Sequence, residues 1–494
     1  MHYTATLSSS IINLTKTIIG SGLLAIPYAF RNDGIFIGVC LTVLAAITTG
    51  FGFFVLAKCS KILVDPRNSS FFTICMLTYP SLSPLFDFAM IVQCFGVGLS
   101  YLVLMGDIFP SLFGGNRELW IIATSLIIVP LCSFKKLEHL KYSSILGLFA
   151  LVYLSLLVIS MFIKDILIQD CNTYPTVRGD IYWFRIYDIK GLLSTFSIII
   201  FAYTGSMNLF TIINELKDNS MTNIVKIISG SIIISSIGFL SVAVTGYLTF
   251  GSNTMGNIML NYDSNSIFVI FGNFALALML LLSFPLLFHP LRIACNNLIV
   301  WVEINYQNNA SSSEYYGNLN INNSSANRSN TLNSQPITLT VNEEDLVDEN
   351  TTFLPPPASS SVSSSYLEQT NELAPGNQEP TPLPGDNEQH TPFPDSRFCW
   401  ITILLLSSMY ILALRITSFA LVLALVGATG STSISFTLPG LFGYKLIGSD
   451  SLAVGQMISK RDQFYKRASL LLAIFGICVM ILSLYVTIFF GTES

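Results

Sequence analysis

The feature that most constrains this chain is a series of long apolar runs with almost no charged residues. Runs of about 17–25 apolar residues match the thickness of a bilayer's hydrocarbon core. Because lipid offers no hydrogen-bond partner to a free backbone group, each run is expected to be a membrane-spanning helix. Only 11% of the 494 residues are charged, whereas soluble domains carry about a quarter. The sequence therefore predicts an all-α polytopic membrane protein.

The apolar runs predict eleven transmembrane helices. They cover residues 9–30, 35–57, 84–109, 119–134, 142–163, 189–213, 224–250, 266–289, 398–414, 418–442 and 468–490. No basic segment or small-residue cleavage site precedes the first run, so we expect this run to be retained rather than removed as a signal peptide.

Basic residues are distributed unequally between the two sides of the predicted helices. Sixteen of the 24 lysine and arginine residues lie in connections on the side of the N-terminus, and seven lie on the other side. Connections rich in lysine and arginine face the cytosol. We therefore expect a cytosolic N-terminus and a C-terminus on the opposite side.

Residues 303–396 differ in composition from the rest of the chain. Asparagine and serine tracts give way to proline-rich, acidic sequence, and low hydrophobicity of this kind cannot offset the entropy lost on ordering. We expect a disordered cytosolic linker between two membrane regions. These regions are residues 1–302, with helices one to eight, and 397–494, with helices nine to eleven.

The first predicted helix contains the sequence Gly20-Ser21-Gly22 near its middle. Small residues at this depth favour either a close helix–helix contact or an unwound segment. In the second case, free N–H groups and the start of the following half-helix would bind a carboxylate, while free carbonyl groups would bind an ammonium group. Spacing alone leaves both interpretations open.

A second interruption, from Tyr203 to Asn208, lies in the middle of the sixth predicted helix. Helices one and six run in opposite directions, and paired breaks in opposed helices indicate inverted repeats with a binding site near the middle of the membrane. The candidate substrate-binding residues are Ile19, Gly20, Ser21, Gly22, Leu23, Tyr203, Thr204 and Asn208.

Lys16 precedes Gly20 by four residues, or about 6 Å along a helix. Its ammonium group either extends to the cytosolic membrane surface or provides a positive charge near the site, since ionisable residues within a membrane are usually functional. Ser283, close to Pro285 in the eighth predicted helix, marks a local distortion.

Patterns typical of enzymes are missing from the sequence. There is no P-loop, GxSxG, HExxH or clustered His/Cys set, and the chain contains only four histidines. We expect no enzymatic activity, no catalytic residue, no cofactor and no metal. The net charge of −5 gives no indication of a nucleic-acid partner.

Several motifs resemble those of the amino acid/auxin permease family. They are Gly20 to Phe30, Cys94 to Tyr101 with Gly106-Asp107, Phe201 to Thr204, Ile213 to Glu215, Gly246 to Gly251 and Leu425 to Tyr444. Within that family the chain is most similar to fungal vacuolar amino-acid exporters. The resemblance implies eleven helices on a LeuT-like core, with a 5+5 inverted repeat plus one extra helix. It also implies export of amino acids from vacuole to cytosol, driven by the acidity of the lumen, and a lumenal C-terminus.

The chain departs from this family at two places. Sodium-coupled members have an asparagine that helps to bind sodium where this chain has Lys16, and a threonine ligand where it has Ser283. The resemblance therefore places a coupling site at these residues, with Lys16 arguing against sodium and for proton coupling or none. Many members also read Cys-His-His-Asn where this chain reads Gly205-Ser206-Met207-Asn208. The acidic or neutral character of the substrate consequently stays open.

Two main hypotheses follow. The first is a secondary active amino-acid transporter in a lipid bilayer, working by alternating access and driven by a proton gradient; a sodium-coupled transporter of the plasma membrane is its variant. The second is an amino-acid sensor on the same scaffold that signals through the linker. A channel is a weaker option, because no filter sequence or ring of pore charges is evident.

Overall fold

The computed structural model describes residues 5–63, 66–133, 141–168, 178–184, 189–329, 394–449 and 457–490, and these residues are almost entirely helical. The α-helices are α1 Leu7–Ile18, α2 Ile26–Ser60, α3 Phe71–Thr78, α4 Ser83–Phe113, α5 Arg117–Ser133, α6 Lys141–Ile168, α7 Ile189–Ala202, α8 Leu209–Glu215, α9 Met221–Phe250, α10 Ile267–Ser329, α11 Asp395–Arg415, α12 Phe419–Val426, α13 Leu438–Leu446 and α14 Lys460–Phe490. One isolated parallel bridge joins Ala5 to Leu216.

Nine helical stretches in the described part of the chain are long and apolar enough to cross a membrane. Two of the eleven predicted spans are not among them. The first is divided between α1 and α2, and the fourth corresponds to α5, which has 17 residues. The all-α polytopic architecture is thus confirmed, whereas the number eleven stays a prediction.

Helix α2 joins the end of the first predicted span to the whole of the second. Its 35 residues would extend for about 52 Å, far more than the hydrocarbon thickness of about 30 Å. Gly34 interrupts the helix with φ 72° and ψ 170°, a conformation that glycine adopts without a steric penalty. The bend lies in the interval predicted to separate the two spans.

Helix α10 contains Pro285 and Pro290 and continues to Ser329, into the first part of the predicted linker. Contacts divide the chain into one unit of Met1–Glu303 with Gln389–Ser494 and a second unit, Ile304–Glu388. Of the predicted linker, residues 330–393 lie outside the described residues, and its disorder stays a prediction.

The burial of the spans shows which of them lie at the centre of the bundle. In Gly191–Glu215 and in Phe419–Leu446, 78% of the residues in the most apolar window are buried, against 39% in the α9 span Met221–Asn253. Both of these spans are interrupted, and they contain α7–α8 and α12–α13; the span of α4, Pro80–Phe113, is nearly as buried at 72%. The breaks in the helices are therefore surrounded by protein rather than by lipid.

Connections that were predicted to be cytosolic meet at one end of the bundle, here called the basic end. Lys61 Nζ donates to Asn219 Oδ1 over 2.6 Å, and Arg67 donates to the Leu216 carbonyl over 3.1 Å. Connections that were predicted to lie on the other side meet at the opposite end, where the Ser252 N–H donates to the Asp180 carbonyl over 2.9 Å.

Candidate functional site

The first break separates α1 from α2. Ile19 (φ −78°, ψ 75°) and Gly20 (φ −96°, ψ −151°) leave the helical conformation, and residues 21–24 form one turn of 3₁₀-helix. The Gly20 N–H donates to the Ile18 carbonyl over 2.8 Å, so the Lys16 carbonyl loses its usual helical donor. Within the described residues, the N–H groups of Ser21 and Gly22 have no backbone hydrogen bond. The break thus exposes both donors and acceptors.

The second break separates α7 from α8 at the place that the sequence predicts. The Thr204 N–H donates to the Phe201 carbonyl over 3.0 Å, Gly205 has φ −145° and ψ 4°, and residues 206–208 form a 3₁₀ turn. Two short half-helices therefore flank a non-helical segment, as in the first span.

The two breaks pack directly against each other. A Cβ atom on Gly22 would lie 2.7 Å from Cα of Ala202, and one on Gly205 would lie 2.8 Å from Cγ1 of Ile18. The Asn208 amide donates to Thr17 Oγ1 over 3.3 Å. Both interpretations of the small residues therefore apply: they permit a close helix–helix contact, and they lie where the helices unwind.

Three buried hydroxyl groups in or beside the breaks have no hydrogen-bond partner among the residues that the structure describes. They belong to Ser21, Ser206 and Ser435, which are at most 2% exposed. Ser206 lies in the second break, and Ser435 lies in an irregular part of the tenth predicted span that contacts it. A buried hydroxyl normally has a partner, so these groups are suited to bind a polar ligand.

The structure brings the predicted site residues together but directs two side chains away from the breaks. The Tyr203 hydroxyl donates to Ser236 Oγ of α9 over 2.8 Å, and its ring packs edge-to-face on Phe239 at 5.0 Å. Thr204 Oγ1 donates to the Ile200 carbonyl over 3.1 Å. These side chains support the fold of the second break, so any binding role falls to their backbone groups.

Lys16 extends from α1 towards α6 and α10. A Cβ atom on Gly147 of α6 would lie 3.5 Å from Lys16 Cε, 4.0 Å from Lys16 Nζ and 3.4 Å from Met279 Cγ. Ser283 follows Met279 by one helical turn of α10. Lys16 is half-buried, and the described part of the chain supplies no ion pair for it. The ammonium group therefore lies among three helices.

One element of this region was not predicted. Residues 427–431 and 433–437 form π-helical turns, in which Thr432 Oγ1 donates to the Gly427 carbonyl over 2.6 Å. Ser431 Oγ donates to Gln93 Oε1 of α4 over 2.8 Å. π-Helical turns are rare and occur frequently at functional sites. The available signal was the high proportion of glycine, serine and threonine between residues 427 and 437.

Comparison with known families gives one match along nearly the whole chain. Residues 3–482 match the family described as "Transmembrane amino acid transporter protein". The matched range includes both breaks, Lys16 and the π-helical segment.

Three fungal proteins are similar over almost their full length. "Vacuolar amino acid transporter 7" of Saccharomyces cerevisiae is 57% identical over 509 residues, which covers 99% of this chain and 99% of that protein. "Vacuolar amino acid transporter 5" of the same organism is 34% identical, with 98% of each chain covered. The protein of that name in Schizosaccharomyces pombe is 30% identical, with 97% and 94% covered.

Among solved structures, the crystal structure of MhsT in complex with L-phenylalanine is similar to this chain, with a TM-score of 0.46 and a sequence identity of 12%. The similarity covers 96% of this chain and 98% of that chain. At this TM-score the likeness adds nothing to the fold described above. The match over residues 3–482 and the identities of the fungal relatives establish that this chain belongs to the transmembrane amino acid transporter family, which consists of transporters and not of enzymes.

Proposed function

We propose that this protein exports acidic or neutral amino acids from the vacuole to the cytosol, driven by the proton gradient and independent of sodium. Membership of the family supports the transport of amino acids, and the names of the fungal relatives support the vacuolar membrane. Alternating access would take place between two opposed five-helix halves, each containing one break. The direction and the coupling ion are the parts that need an experiment.

The observation that carries the proposal is the pair of opposed breaks that pack against each other. A free amino acid carries its carboxylate and its ammonium group on the same carbon atom, so one site must provide both donors and acceptors. The N–H groups of Ser21 and Gly22, at the start of the second half-helix, suit the carboxylate. The Lys16 carbonyl, freed at the end of α1, suits the ammonium group. The buried Ser21 and Ser206 hydroxyls can satisfy either group.

Lys16 supports coupling without sodium. Its ammonium group lies between α1, α6 and α10 and near Met279, one helical turn before Ser283, at which a cation ligand was predicted. A second cation at this place would be repelled, because two like charges in a low-dielectric region interact strongly. A protonated lysine therefore takes the role of a bound cation, and its deprotonation provides a route for proton coupling.

Flux measured with the purified full-length protein in liposomes tests the proposal. A panel of amino acids is offered while the pH gradient and the sodium gradient are varied separately. We expect uptake that follows the pH gradient and is indifferent to sodium. Uptake that requires sodium would contradict the role of Lys16, and the absence of uptake for every amino acid would contradict the proposed function itself.

A further inference from the structure

An apolar groove of about 350 Å³ lies between α2 and α9, on the outer surface of the bundle. Its walls include Ile47 and Gly50 of α2, and Val225, Ile228 and Ile232 of α9. Ile47 is 65% exposed, so the groove opens towards the lipid rather than towards the breaks. It is therefore a separate site from the one described above.

A second cavity of about 410 Å³ lies at the basic end of the same pair of helices. Lys58, Lys61, Arg461 and Asp462 line it together with Tyr465 of α14. Phe54 lines both cavities, so the apolar groove and the charged cavity are neighbours along α2. The combined site is amphipathic, with a polar end and a long apolar end.

The charged cavity has an excess of positive charge. It contains three cationic side chains and a single carboxylate, and that carboxylate, of Asp462, is paired with Lys58. Lys61 donates to the carbonyl and side-chain oxygens of Asn219 at 2.5 and 2.6 Å, which are neutral groups, and the carboxylate of Asp218 acts on its charge without a recorded ion pair in the described part of the chain. Arg461 is exposed, and no ion pair is recorded for it among the described residues. The cavity is thus suited to an anion.

The dimensions of the site fit one leaflet of a bilayer. Residues 47, 50, 54 and 58 follow one another at intervals of three or four, so they form a single stripe along α2, and Lys61 comes directly after the end of this helix. The stripe from Ile47 to Lys58 is about 16 Å long, close to half of a hydrocarbon core of about 30 Å. A free phosphate would leave the groove unused, and an uncharged sterol would leave the cations unused.

We propose that this site binds an anionic phospholipid of the leaflet at the basic end, which the sequence predicts to be the cytosolic leaflet. Lys61 and Arg461 contact the phosphate of the headgroup, and one acyl chain lies in the groove between α2 and α9. Basic pockets between transmembrane helices on the cytosolic side commonly bind such headgroups. The proposal does not depend on the substrate or on the coupling ion.

Binding is measured by native mass spectrometry of the full-length protein with phosphatidylinositol phosphate, and with phosphatidylcholine as the neutral lipid. Arg461→Gln is expected to weaken binding of the anionic lipid about fivefold, the value for one cation near an anionic headgroup. Arg467→Gln, an exposed cation on the same helix that does not line the cavity, is the matched control and is expected to have no effect.

The groove is tested by a second pair of variants. Gly50→Leu fills it and is expected to weaken binding of the lipid, whereas Gly50→Ala places a Cβ atom 3.7 Å from Ile232 Cγ1, an ordinary contact, and is expected to leave binding unchanged. Equal binding of phosphatidylcholine, or equal losses in Arg461→Gln and Arg467→Gln, would overturn the proposal. So would binding of a soluble inositol phosphate that is as tight as that of the lipid and insensitive to Gly50→Leu, since that result would identify a site for a free anion.

Discussion

Replacing Gly22 by alanine is expected to slow transport, because the first break leaves no room for a methyl group. The new Cβ atom would lie 2.7 Å from Cα and 2.8 Å from Cβ of Ala202. Carbon atoms prefer separations of about 3.5–4.0 Å. The two breaks must therefore move apart by about 1 Å, away from the arrangement in which their polar groups face a common ligand.

The magnitude follows from the cost of overpacking. Extra methyl groups in a well-packed interior cost about 1–3 kcal/mol, and a change of about 1.4 kcal/mol corresponds to a factor of ten in rate. Transport that passes through the packed arrangement should therefore fall by about 5- to 150-fold. Gly22→Val adds two further methyl groups and is expected to abolish measurable transport.

The assay is the initial rate of amino-acid uptake by liposomes that contain equal amounts of folded protein. Gly238→Ala is the matched control, because its Cβ atom would meet only Ile19 Cδ1, at an ordinary 3.6 Å. Combining Gly22→Ala with Ala202→Gly removes the contact at 2.8 Å but keeps the one at 2.7 Å, so partial recovery is expected. Equal rates for Gly22→Ala and Gly238→Ala would refute the packed-break explanation.

Three further predictions concern single side chains. Lys16→Asn should remove the sodium-independent flux driven by a pH gradient in liposomes; an unchanged flux would show that the ammonium group plays no part in coupling. Tyr203→Phe should lower the free energy of unfolding by about 1 kcal/mol and leave KM unchanged, because the hydroxyl bonds to Ser236; an altered KM would place it at the substrate. Arg67 donates to the carbonyls of Leu216 and Lys217, which follow α8. Arg67→Gln removes these contacts, so a cysteine introduced at Thr17 should be alkylated faster by a reagent added from the basic end. An unchanged alkylation rate would show that Arg67 does not help to keep this end closed.

The sequence was sufficient to locate both breaks, because glycine and polar residues in the middle of apolar runs are rare and have few explanations. The non-helical residues around Gly20 and from Tyr203 to Asn208 lie where they were expected. The positive-inside distribution likewise grouped connections that do meet at one end. These features depend on local composition, which the sequence states directly.

Side-chain directions and helix irregularities were not predictable in the same way. Tyr203 was a candidate for substrate contact, but only the packing of α7 on α9 shows that its hydroxyl reaches Ser236. Lys16 has a long flexible side chain, so its extension towards Gly147 depends on space that another helix leaves. The π-helical turns at 427–437 contain the same residue types as a simple helix-packing face. The wider turn of a π-helix leaves no distinct spacing of residues in the sequence.

The bend at Gly34 separates the first part of α2, which follows the first break, from the rest of this helix. The N–H groups of Ile35 and Phe36 are bound by the carbonyls of Tyr182 and Trp183, so the far side of the bend is anchored and Gly34 is a natural pivot. Gly22 lies about 18 Å from this pivot, and a tilt of about 10° would displace it by about 3 Å. That displacement exceeds the separation of about 1 Å that a methyl group on Gly22 would impose. Such a tilt would release Arg31 from the Thr254 carbonyl and Asp33 from the Thr195 hydroxyl, so these two contacts beside the bend restrain the separation of the two breaks.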